Sequence, residues 1–308
     1  MNAAQNLKAI VGYLWRVVLC GVAYVAGAMA GGAAVSALGL PLPQLPKQTD
    51  EGTMGLLLLI GSLALAAGLA PLARRLQGPY WLRWLMLAVL CYICIGVTSP
   101  LEGAIFTTMD MASVPALSLL PCLVFAAVMT LLFKPASRGD SLAVSMRRFF
   151  RGRTVGQWTW RLVAAVCAFP IIYWTFGLMV APFVMEYYKQ GQFALAVPNP
   201  AVILATQFAR SVLFLMAAVP ILVLWSGSRR QLILALGLAF YVLVGLFGMI
   251  QSYWLAPTLQ VLHNAEMLID SMVYALALTA LLVRRDETTD DELFARYLLC
   301  MVQTPVAN

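Results

Sequence analysis

Eight stretches of apolar, almost uncharged residues, each about 20 long, follow one another along the chain, and no other feature limits its fold as severely. A helix of that length rises about 30 Å, the hydrocarbon thickness of a bilayer. In lipid every backbone N–H and C=O needs a partner within the protein, so a spanning segment is a helix or part of a closed barrel. The runs are unbroken and rich in Leu, Ala and Gly, without the ten-residue alternation of barrel strands, and that selects helices. Spans are expected at 10–38, 53–72, 81–100, 113–133, 158–185, 200–225, 231–254 and 256–283. With 62% hydrophobic and 11% charged residues, against roughly a quarter charged in soluble domains, the chain is too apolar to enclose its surplus in one water-soluble core. The expected class is all-α: a polytopic integral membrane protein.

Basic residues fall in alternate loops. One set carries Lys8, Arg16, Arg74, Arg75, Arg83, Lys134, Arg138, Arg147, Arg148, Arg151, Arg153, Arg161, Arg229, Arg230, Arg284, Arg285 and Arg296, and the opposite set carries Lys47 and Lys189. Cytoplasmic segments retain positive charge during insertion, so the pattern predicts a multi-pass protein of the cytoplasmic (inner) membrane with both termini inside. The net charge of +7 is then a topology signal. Nucleic-acid binding is not expected, because no soluble basic domain is present to dock on a duplex. Lys8 before an apolar stretch with Ala34 and Ala37 has the outline of a signal peptide. The run exceeds an h-region of about 7–15 residues, so it reads as a span. Cys20, Cys91, Cys94, Cys122 and Cys167 fall inside expected spans, where a thiol is a small apolar side chain, so no disulfide framework is expected. Cys91 and Cys94 form a C-x-x-C, but no cysteine in an outer loop is placed to relay electrons to them.

Weak self-similarity divides the chain into two four-helix units, 1–150 and 151–308. Val11-Gly12 and Trp15-Arg16-Val17-Val18 recur as Val155-Gly156 and Trp160-Arg161-Leu162-Val163. Pro71 matches Pro220, Tyr92 to Gly96 reads like Tyr241 to Gly245, and Asp140-Ser141-Leu142 resembles Asp291-Glu292-Leu293. Four matches in one order predict two tandem parallel repeats about an axis along the membrane normal, an arrangement that often holds a site between its halves. Each unit ends in an amphipathic stretch. In the first, Leu142, Val144, Met146, Phe149 and Phe150 interleave with Arg147, Arg148, Arg151 and Arg153. That pattern fits a short helix on anionic membrane lipid as well as it fits a solvated basic loop. The second, 290–302, opens with acids and turns apolar, and suits the membrane surface or a protein partner.

Ionisable groups inside the hydrocarbon are the informative residues, since each needs a partner or water. His263, Glu266, Asp270 and Tyr274 stand at i, i+3, i+7 and i+11 of the eighth span, along one helix face. Glu102 is 19 residues from Arg83, Arg210 is 19 from Arg229 and Glu266 is 18 from Arg284. At about 1.5 Å per residue all three reach roughly 27–29 Å from the basic end. A cluster of Glu102, Arg210, His263, Glu266 and Asp270 near the outer leaflet is therefore allowed, provided that the third, sixth and eighth spans meet. With a shift of 150, Ser113, Ala116 and Leu120 stand opposite His263, Glu266 and Asp270, so the charged set has no counterpart in the first unit. One site is expected, not two.

The cluster admits four readings. Arg210 is internal glue for Glu102, Glu266 or Asp270, as in an accessory or scaffold subunit. The carboxylates form a proton or cation relay in a transporter or permease, because desolvated carboxylates titrate near neutrality and couple proton movement to substrate. His263, Glu266 and Asp270 hold a hard divalent ion, although a single His rules out His-rich zinc sites and paired-His haem. Last, Glu266 or Asp270 acts as general base with His263 in a lipid-modifying enzyme. The transporter reading leads, and whether the chain is an enzyme stays open. No Walker loop, dinucleotide glycine motif or nucleophile elbow is present, so no cofactor is expected. Gly27 and Gly31 form a G-x-x-x-G that predicts close helix packing. Pro71, Pro121, Pro170 and Pro220 are expected to kink their helices, and Glu186, Tyr187 and Tyr188 to form an interfacial rim.

Overall fold

The structure, a computed structural model, describes residues 3–43, 50–135, 139 and 141–284. Lys47, Arg138, Asp140, Arg285, Arg296 and the stretch 290–302 lie outside the described residues. Among the described residues every regular element is helical: α1 (Ala3–Ala37), α2 (Glu51–Ala73), α3 (Tyr80–Cys91), α4 (Ser99–Phe106), α5 (Val114–Leu132), α6 (Leu142–Phe150), α7 (Val155–Lys189), α8 (Pro200–Leu224), α9 (Arg229–Phe240), α10 (Phe247–Gln251) and α11 (Pro257–Leu282). A π-helical turn, Tyr92–Thr98, joins α3 to α4, and a second, Tyr241–Leu246, joins α9 to α10. Each of these composites is one continuous rod. Among the described residues eight rods are long and apolar enough to cross a membrane, in the order expected. The third runs to Phe106 rather than residue 100, because the widened π turn carries the helix past Pro100. The basic segment 142–150 is a helix, capped where Ser141 accepts from the Val144 amide.

Local chemistry explains where the rods begin. Asp50 caps α2 by accepting from the Thr53 amide at 2.9 Å and its hydroxyl at 2.6 Å, and these bonds hold its carboxyl below the ordinary carboxylate range. Thr154 with Gln157 and Ser228 with Gln231 form capping boxes for α7 and α9. Asn199 followed by Pro200 opens α8. Interior prolines free the carbonyl four residues earlier. Tyr13 Oη donates to Ala67 O at 3.0 Å, behind Pro71, and Ser211 Oγ donates to Val166 O at 2.7 Å, behind Pro170. A neighbouring helix thus satisfies these two orphans, as an apolar surrounding requires.

In the first half α1 packs on α2 and α5, and α3 on α5; in the second, α7 packs on α8 and α11, and α9 on α11. The halves meet where α2 crosses α9 and α3 crosses α8. Gly27 and Gly31 make the α1–α5 contact close: a Cβ on Gly27 would stand 2.6 Å from Pro121 Cα, and one on Gly31 2.8 Å from Leu117 O. At the basic end the loops after the second and sixth rods pair as an antiparallel bridge, Leu76 with Trp225. At the far end Thr107 pairs with Leu195, tying the loop after α4 to the loop after α7.

Candidate functional site

Arg210 heads the side chains that the fold buries completely, at 1% exposure. Its Nη1 lies 2.7 Å from Glu102 Oε1 and donates to Gln207 Oε1 at 2.9 Å. The guanidinium sits 5.5 Å from the ring centroids of both Phe169 and Phe214, within cation–π range. Glu102 reaches it from the first turn of α4, directly after the π turn. The third and sixth spans therefore meet through an ion pair, one of the contacts that the internal-glue reading allows.

The eighth span presents its polar face inward. His263, Glu266, Asp270 and Tyr274 all line one cavity of about 590 Å³ together with Glu102 and Arg210. The cavity lies in the far half of the bundle, between the third, fifth, sixth, seventh and eighth spans. His263 Nδ1 is 2.9 Å from Glu266 Oε2, and Tyr188 Oη is 3.2 Å from His263 Nε2. With a neutral imidazole, Nδ1–H donates to Glu266 while Nε2 accepts from the Tyr188 hydroxyl. Asp270 is as buried as Glu266, both at 8% exposure, but its Oδ1 is buried with no hydrogen-bond partner. Trp174 Nε1–H, also on the cavity, is likewise buried without an acceptor.

All five expected residues thus line the same space, yet they divide into Glu102–Arg210, His263–Glu266 and a separate Asp270. They do not converge on a metal. Among the described residues no three His, Cys, Asp or Glu side chains are placed to share an ion, so the ligand set His263, Glu266 and Asp270 is not assembled. Cys91 and Cys94 are buried free thiols. Tyr188, expected at the rim, turns inward instead. Tyr173, Gly177 and Tyr188 lie at i, i+4 and i+15 on α7, one face of the helix, and all three line the cavity. A Cβ on Gly177 would stand 3.3 Å from Glu266 Oε1, so the glycine leaves room for that carboxylate.

The remaining lining is mostly apolar and adaptable. Five methionines, Met109, Met111, Met185, Met249 and Met267, face the space, and unbranched thioethers repack around differing shapes. Phe193, Leu195 and Val197 line it from the loop after α7. Phe193 and Ala194 in that loop adopt left-handed backbone angles, φ 56° and 60°. Non-glycine residues in that region store strain and concentrate at functional sites. No protein-family model, curated protein or solved structure matches the chain.

Proposed function

We propose that the chain is a transporter of the cytoplasmic membrane, basic end inward, that couples proton or cation movement to passage of an amphipathic cation. The observation that carries this reading is Asp270, buried without a hydrogen-bond partner on the wall of a large, mostly apolar cavity. A carboxylate so placed is open to exchange a proton or to hold a cation. Three carboxylates and one Arg line the space, so the excess of formal negative charge favours a positive occupant, and methionine-rich walls suit an apolar body. In this scheme Glu266 and Asp270 carry the proton or bind the cation, His263 and Glu102 tune or share it, and Arg210 is the counter-ion. A scaffold needs its charges paired in a dry bundle, and unpartnered Asp270 fits that poorly.

The transporter is further proposed to be a tandem duplication of units 1–150 and 151–308. An offset of 149 residues relates Leu76 to Trp225, the two ends of the basic-end bridge. The same offset relates Tyr92 to Tyr241, where the π turns begin. It also relates Gly96 and its neighbour Ser118 to Gly245 and its neighbour Met267. Antiparallel pairing of equivalent residues is what a two-fold axis produces. With this offset Asp270 stands against Pro121 and Arg210 against Gly61, so one half closes by tight packing where the other holds the cavity.

The test is exchange in proteoliposomes, with an imposed pH gradient and ethidium as the amphipathic cation. Wild-type protein is expected to move the dye and dissipate the gradient, and Asp270→Asn, still folded, to do neither. A wild type that moves no dye, or an Asp270→Asn variant that exchanges normally, would reject the proposal. The chain Tyr188–His263–Glu266 favours one second reading, acid–base chemistry on a lipid. Altered vesicle lipids by mass spectrometry, dependent on His263, would select it.

A further inference from the structure

A second concave site lies at the opposite, basic end, and it is independent of the transport reading. Arg153, Arg161, Arg229 and Arg284 line a cleft of about 480 Å³ with Gly152, Ala280 and Val283. They come from four separate places: the segment before α7, the first turns of α7, the start of α9 and the residues after α11. No acidic side chain lines the cleft among the described residues. Four like charges gathered from distant positions repel one another unless something negative sits among them.

Part of that demand is met locally. Arg153 Nη1 donates to Leu282 O at 2.7 Å, and Arg161 Nη1 donates to Leu281 O, so both cap the carbonyl end of α11, where cations are favoured. Neither Arg229 nor Arg284 has such a role. Arg161 Nε and Arg229 Nε are buried without acceptors. Burial, with Arg161 and Arg284 nearby, holds Arg153 below the ordinary guanidinium range. Gly152 makes room for the arrangement. Its φ of +83° disfavours a side chain, and a Cβ there would stand 2.8 Å from Arg284 Nη1.

We infer that this cleft binds a phosphate group, free or as the headgroup of an anionic lipid, with Arg229 and Arg284 as its principal donors. The guanidinium fork matches phosphate oxygens two at a time. Basic pockets between membrane helices at the inner surface commonly receive phosphorylated headgroups. A competitor is written in the chain itself, which continues beyond Arg284 with Asp286, Glu287, Asp290, Asp291 and Glu292.

The experiment follows the thermal unfolding midpoint of the purified full chain in non-ionic detergent at matched ionic strength. The probes are pyrophosphate, dioctanoyl phosphatidic acid and, as zwitterionic control, dioctanoyl phosphatidylcholine. The midpoint is expected to rise with a phosphate probe and not with the control. Arg229→Gln and Arg284→Gln are expected to weaken the apparent affinity about tenfold each, the loss of one charge-assisted contact. Arg284→Lys, which keeps the charge but not the fork, serves where the glutamine variants unfold, and is expected to fall between. A response to phosphatidic acid alone assigns the site to lipid, and a response to both probes assigns it to phosphate as such. No response to either, or an equal response in the arginine variants, overturns the inference. So does a response that appears only when the five acids beyond Arg284 are changed to amides, since the chain's own carboxylates would then fill the cleft.

Discussion

Arg210 and Asp270 share one cavity but are held in opposite ways, and that difference gives opposite expectations for their substitution. Arg210 is surrounded by Glu102, Gln207 and two aromatic rings. Removing one partner of a buried pair leaves the other stranded at a cost of about 3–5 kcal/mol. Arg210→Gln is therefore expected to lower the unfolding midpoint sharply. Asp270→Asn strands nothing, because Oδ1 has no partner, and is expected to stay within about 1 kcal/mol of wild type. Thermal unfolding of the two purified variants decides the matter: collapse of Asp270→Asn would make that carboxylate structural and remove it from the proposed proton path. The proline carbonyls give a second residue-level expectation. Tyr13→Phe and Ser211→Ala each remove the donor to a freed carbonyl and are expected to cost about 1 kcal/mol in the same assay.

At the level of elements, close packing and kinked geometry can be tested separately. A Cβ on Gly27 meets backbone of α5 at 2.6 Å, which cannot rotate away, whereas Gly32 on the same helix has open space around it. Gly27→Ala should force α1 from α5 and cost about 1–3 kcal/mol. Gly32→Ala should be neutral or slightly stabilising, within about 1 kcal/mol. Equal effects on the unfolding midpoint would refute the contact. The inward face of α11 was legible in advance, because helical periodicity alone places His263, Glu266, Asp270 and Tyr274 in one line. The π turns were not. Their sequence similarity was visible at Tyr92 and Tyr241, but the extra residue per turn depends on how the rods pack.

For the whole molecule, the far-end loops hold the cavity's rim together. Thr107 pairs with Leu195 beside the strained Phe193 and Ala194, and directly opposed residues across such a bridge lie roughly 5 Å apart, within disulfide reach. Thr107→Cys combined with Leu195→Cys is expected to cross-link under mild oxidant. If the loops part during transport, the cross-link should stop dye exchange, and reductant should restore it. Failure to form the bond would contradict the pairing, and exchange through the cross-linked protein would show that the rim need not open. The sequence by itself determined the eight apolar rods, their order, the alternation of basic loops and the polar stripe on the last rod. Each of these follows from local periodicity and from the backbone's need for partners in lipid. Only the tertiary structure decided that Glu102 takes Arg210, that Glu266 takes His263 and that Asp270 is left alone. It also decided that Tyr188 turns inward and that four distant arginines share a cleft. Those outcomes depend on distances between residues far apart in the chain, which packing sets and spacing along one helix does not.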